Sequence, residues 1–107
     1  MRRFGSLRRK ADFARLRQRG RRKAGLHLTV YSADPAPHDP RALVGITIAR
    51  PVGTAVTRNR LRRRILALLD ERFAAGAPLE RLLIVPRPSA AALSYAGLRD
   101  ELRLGLP

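Results

Sequence analysis

The sequence has no cysteine and no tryptophan in its 107 residues. Without thiols there can be no disulfide, no thiolate metal ligand and no cysteine nucleophile, which agrees with a reducing compartment. Acids are also scarce: Asp12, Asp34, Asp39, Asp70, Glu71, Glu80, Asp100 and Glu101 are all there are. Asp70 with Glu71, and Asp100 with Glu101, would splay by about 100° on a helix and form no shared site. His27 and His38 are separated by a turn-rich stretch. A protein nuclease needs clustered carboxylates for divalent metals or a histidine pair for acid-base work, and neither is apparent. No catalytic and no metal-binding residue is therefore assigned. Long apolar runs are missing too: nothing approaches the roughly 18 residues that span a bilayer, and the basic N-terminus lacks the apolar segment of a secretory signal. These absences predict a soluble, unexported, cytoplasmic protein. An arginine-rich, acid-poor start also suits a transit peptide, but Asp12, Phe13 and Leu16 read as part of a folded helix.

What is abundant is arginine. Lys+Arg number 23 against 8 acids, for a net charge of +15, and all but Lys10 and Lys23 of those bases are arginine. Such an excess repels itself in a compact chain, so a polyanion is the expected partner, and guanidinium groups suit bidentate phosphate contacts and base stacking. The length predicts one RNA-binding domain over 1–107, with residues 1–9 a basic, flexible lead-in.

A helix is expected from about Lys10 to Arg19, with Asp12 in its first turn and Gly20 stopping it. Leu26 to Tyr31 alternates as a half-buried strand, with Leu26, Leu28 and Val30 on one face and His27, Thr29 and Tyr31 on the other. Ser32 to Arg41 is connector chemistry, and Ala42 to Ala49 returns as a strand, so the pair reads as a hairpin with a long tip. Leu82 to Val85 is a short apolar run that predicts a strand covered on both faces. A last helix should begin near Ser94 and end near Gly105. The order predicts an α+β domain with a small mixed sheet.

The organising stretch runs from Gly53 to Leu69. Thr54 can cap a helix on which Leu61, Ile65, Leu68 and Leu69 fall in one arc, while Asn59, Arg60 and Arg63 point the other way. Five arginines lie between Arg58 and Arg64. They repel one another and oppose the helix dipole, so stability did not select them. The N-terminal end of such a helix is instead a ready anion site. Of the few aromatics, Phe13 and Tyr31 admit two readings from the pattern alone: core residues, or a shallow groove for stacked bases.

Asp12-Phe13, the Leu28-Thr29-Val30-Tyr31 strand, the run from Val44 to Gly53 and above all Gly53-x-Ala55-Val56-x-Arg58-Asn59-Arg60-x-Arg62-Arg63 resemble the protein subunit of bacterial ribonuclease P. The resemblance covers nearly the whole chain in order and spacing. It implies a helix, three strands, helix, strand, helix fold with a left-handed crossover, against the usual handedness. It also implies that a catalytic RNA with bound magnesium removes the 5′ leader of precursor tRNA, and that the protein holds no cofactor alone. On the same basis Arg58, Asn59, Arg60, Arg62 and Arg63 face the catalytic RNA. Phe13, Thr29, Tyr31 and Thr47 line a cleft for the leader, joined by Arg17, which stands where the family often has a second aromatic. Pro51 and Leu66 depart from commonly basic positions. The alternative is a ribosomal or other structural RNA-binding protein with no leader cleft; a helix-turn-helix DNA binder fits less well, because strand patterns flank the arginine helix.

Overall fold

The computed structural model describes residues 3–107. In chain order the elements are β1 (Gly5–Ser6), α1 (Lys10–Arg19), β2 (Arg21–Ala24), β3 (Leu28–Ala33), β4 (Leu43–Ile46), α2 (Ala55–Ala74), β5 (Arg81–Pro86) and α3 (Tyr95–Gly105). The strands form one mixed sheet in the order β1-β4-β5-β3-β2. β4 and β5 are parallel neighbours, so α2 is the crossover between them.

Both long helices begin where their caps predict. Thr54 Oγ1 accepts the Thr57 N–H at 3.2 Å and Ser94 Oγ accepts the Gly97 N–H at 3.0 Å, each satisfying an amide that has no partner inside its helix. The apolar arc of α2 is buried as its spacing requires: Ile65 and Leu69 are fully enclosed, and Phe73 continues the stripe one turn further. This stripe and Leu98 and Leu102 of α3 pack on Leu28, Val30, Val44, Leu82 and Ile84. The opposite face of the sheet carries a smaller cluster of Leu7, Leu16, Leu43 and Leu83, with Phe13 and Tyr31 half-buried against it. β5 is thus covered on both faces.

Three expectations are corrected. The hairpin between the strands of 26–31 and 42–49 does not form, because β5 lies between β3 and β4, antiparallel to the first and parallel to the second. β5 has apolar residues for both faces of the sheet, so it takes the most enclosed position. The hairpin that does form joins β2 to β3. Leu26 sits in its tip and is 74% exposed, outside the face it was expected to share with Leu28 and Val30. Finally, the lead-in is not all lead-in: Gly5 and Ser6 pair in parallel with Leu43 and Val44, Leu7 is buried, and Phe4 meets Phe73 with ring centroids 5.7 Å apart.

Candidate nucleic-acid interface

Gly53 sets the direction of α2. Its φ of +155° is one that side-chain-bearing residues rarely adopt, and a Cβ there would stand 2.9 Å from Thr57 Cγ2. From this turn the helix presents Asn59, Arg60 and Arg63 to solvent, with Arg58 and Arg62 half-buried at the flanks. No acid lies in the first turn. Arg58 Nε is buried and has no acceptor within the described residues. A buried donor left unpaired costs its desolvation, so an acceptor from outside the chain would relieve it. Val56 is 77% exposed in the same turn, an apolar surface beside the arginines. Arg64 differs from its neighbours: its guanidinium reaches back to the Leu93 carbonyl at 3.5 Å.

The second group lies on the α1 side of the sheet. Tyr31, Leu83 and Gly45 stand in one row across β3, β5 and β4. The Phe13 ring rests over Gly45, close enough that a Cβ there would meet its Cε1 at 2.7 Å and Cζ at 2.9 Å. Arg17, one turn along α1, places its guanidinium 5.9 Å from the centroid of the Tyr31 ring. That is within cation–π range. Phe13, Arg17 and Tyr31 are thus brought together across two elements. In the next row, Thr29 pairs with Val85, and the Thr47 N–H continues the ladder by donating to the Ile84 carbonyl at 3.0 Å. Thr47 is half-buried, but Thr29 is only 6% exposed, and Arg87 Nη2 approaches its hydroxyl at 3.5 Å. Thr29 is accordingly more a floor residue than an open contact. Beyond Thr47 the chain turns through Arg50–Val52 directly into α2, so the floor of the cleft leads into the arginine helix.

Two basic residues at this cleft escaped the sequence reading. Arg22 stands opposite Tyr31 in the β2–β3 register, and its strand of Arg21-Arg22-Lys23-Ala24 has no alternation to mark it. Arg87 sits between Pro86 and Pro88 with its N–H on the His27 carbonyl at 2.8 Å. An arginine fixed between two prolines has a restricted backbone, and that was a legible signal. His27 Nδ1 is 2.8 Å from Ser89 Oγ, a contact that ties the hairpin tip to the segment after β5. Among the described residues no three His, Asp or Glu side chains converge to hold a metal, and no helix is long and apolar enough to cross a membrane.

A family profile described as Ribonuclease P matches residues 1–106. A ribonuclease P protein component from Acidothermus cellulolyticus is 39% identical over 95 residues, covering 89% of this chain and 79% of that protein. One from Streptomyces avermitilis is 34% identical, covering 94% and 87%. Among solved structures, a Staphylococcus aureus RNase P protein mutant with defective mRNA degradation activity superposes with a TM-score of 0.85 at 21% identity, covering 94% of this chain and 84% of that one. The Thermotoga maritima RNase P protein, solved in complex with 1-(4-fluorophenyl)-2-thiourea, gives 0.81 at 19% identity, covering 94% and 98%. None of these relatives supports the reading as a ribosomal protein.

Proposed function

Because this chain belongs to the ribonuclease P protein family, we propose that it positions RNA within that endonucleolytic tRNA-processing complex while the catalytic RNA carries out the cleavage. Its partners in this reading are the catalytic RNA and precursor tRNA, in the cytoplasm. Arg58, Asn59, Arg60, Arg62 and Arg63 hold the catalytic RNA. Phe13, Arg17, Tyr31 and Thr47, over the floor made by Thr29, receive the single-stranded 5′ leader. In this reading magnesium is held mainly by the RNA, where it would supply the charge stabilisation that phosphodiester hydrolysis requires.

The observation that carries the reading is the division of surfaces. Asn59, Arg60 and Arg63 lie on the exposed side of α2, away from its buried stripe, and Arg58 is half-buried beside that stripe with its Nε lacking an acceptor among the described residues. The aromatic cleft lies on the other face of the sheet, away from the main core, where bases can stack without disturbing Leu28, Val30 or Ile84. Each surface can be removed without the other. Guanidinium groups on phosphates lower the repulsion between two RNAs, and the cleft selects precursor over mature tRNA, because only the precursor has a leader to place there.

The test is reconstitution. The purified protein, freed of RNA, should cleave nothing with magnesium present, and adding the catalytic RNA should give precursor cleavage at a magnesium concentration where that RNA alone is slow. Cleavage that persists after complete RNA removal would defeat this assignment.

A further inference from the structure

The α1 helix divides its side of the sheet into two channels. Phe13 lies over Gly45 and Arg17 over Tyr31, whereas Asp12 and Arg15, around the helix axis from them, line a separate groove of about 490 Å³ whose far wall is the loop over residues 36–41. The loop wall is held in place. Asp39 accepts Arg41 Nε at 2.8 Å and Nη2 at 2.9 Å, while Arg81, with its side chain only 14% exposed, donates to the Asp39 carbonyl at 2.6 Å. The hydrogen bonds from Arg41 hold the Asp39 carboxyl well below the usual carboxylate range, so this acid stays ionised and committed to the wall. The near wall is different. Arg8, Arg9 and Arg15 are exposed and make no ion pair among the described residues. Five arginines against Asp12 and Asp39 leave the lining three positive charges in excess.

Three unpaired guanidinium groups around one concavity repel one another until an anion enters. Asp12 narrows the choice of anion. It would repel a phosphate, yet it would accept hydrogen bonds from the exocyclic amino group of an unpaired base. Arginines flanking one free carboxylate therefore suit a single strand that threads phosphates and presents base edges.

We propose that this groove holds the upstream part of the single-stranded leader, with Arg8, Arg9 and Arg15 on its phosphates and Asp12 on a base amino group. The inference rests on the reading of the Phe13 and Tyr31 cleft as the leader site. A strand leaving that cleft at the start of α1 meets Arg9 and Arg8 next, and these lead into the groove beside Ser6 and Asp12.

The test uses reconstituted holoenzyme and precursor tRNAs with leaders of graded length. Wild type should gain affinity again once the leader is long enough to pass α1. The triple variant R8Q/R9Q/R15Q should bind short-leader precursor as wild type does and lose the second gain, by about tenfold. The magnitude of its log-log salt slope on the long leader should fall by about 2, three contacts at roughly 0.7 each for a single strand. Asp12→Asn should leave that slope unchanged and alter which leader sequences bind. Equal losses on short-leader, long-leader and mature tRNA would place these arginines on the catalytic RNA or the tRNA body and overturn the proposal, as would no loss at any length. Phe13→Ala, run in parallel, separates the two readings. If it shows its leader-selective defect while the triple variant is silent, only the groove falls; if neither variant and no leader length matters, the leader cleft falls with it.

Discussion

Phe13 occupies the space that a side chain on Gly45 would need: a Cβ at Gly45 would lie 2.7 Å from Phe13 Cε1 and 3.1 Å from Leu7 Cδ1. One residue of the sheet is thus kept bare so that an aromatic ring from α1 can rest against it.

Gly45→Ala should therefore displace the ring. Neighbours must shift by several tenths of an ångström, and overpacking of this kind typically costs about 1–3 kcal/mol of stability. Calorimetry on the protein and precursor binding by the holoenzyme should both register the change, with mature tRNA affected less. A variant with unchanged melting temperature and unchanged leader preference would show that the ring is not held there in solution.

Arg58→Ala combined with Arg60→Ala should weaken assembly with the catalytic RNA and leave the fold intact, since Arg60 is exposed and the half-buried Arg58 Nε makes no hydrogen bond that the fold would lose. The log-log salt slope should flatten by roughly one unit for each phosphate contact removed. Leu61→Ala is the contrasting variant. It should cost about 2–5 kcal/mol of stability by opening a cavity. Unaltered affinity and slope in the double arginine variant would reduce that surface to a solvated face.

Phe13→Ala and Tyr31→Ala address stacking. Loss of a base–aromatic stack should remove about 1–3 kcal/mol of precursor binding, whereas a purely core role predicts about 3–5 kcal/mol of lost stability. Both rings are half-buried against Leu83 and its neighbours, so some melting-temperature loss is expected with either. The deciding measurement is selectivity: the defect must be larger for precursor than for mature tRNA at a temperature where the variant is fully folded.

Asp39 gives a prediction in pH. Arg41 lowers its folded pKa below the unfolded value of about 3.9. Its contribution is therefore complete above that value and is lost only as pH falls through the depressed folded value. A carbon-13 titration should find this carboxyl still ionised at about pH 3, where free aspartate is mostly protonated. A midpoint in the ordinary range would mean that the 36–41 loop is not pinned by Arg41.

How much of this was legible in the chain depends on how local each feature is. The caps at Thr54 and Ser94, the stripe from Leu61 to Leu69 and the opposed arginines all follow from spacing within one helix, and they stand as expected. Strand order does not. Nothing near Leu28 or Val44 says that residues 81–86 will enter between them; that choice is made by β5, whose apolar residues serve both faces. β2 was silent for the opposite reason, being an edge strand with every residue exposed and no pattern to display. At the site, Phe13 and Tyr31 were readable as an aromatic pair of uncertain purpose. The burial of Thr29 under Arg87 was not, because it depends on a contact between residues far apart in sequence.

The central place of β5 also has a meaning for biosynthesis. β3 and β4 each have one long edge that β5 pairs, and among the described strands β5 comes last in the chain. While the ribosome is still adding residues before Arg81, the nascent chain holds two strands with open edges and a highly basic helix whose apolar stripe lacks its sheet. Pairings between residues so distant in sequence close slowly, since chain entropy must be overcome before contacts compensate. A nascent chain halted before β5 therefore lacks the strand that joins β3 to β4, and is a candidate for aggregation or for premature capture by RNA.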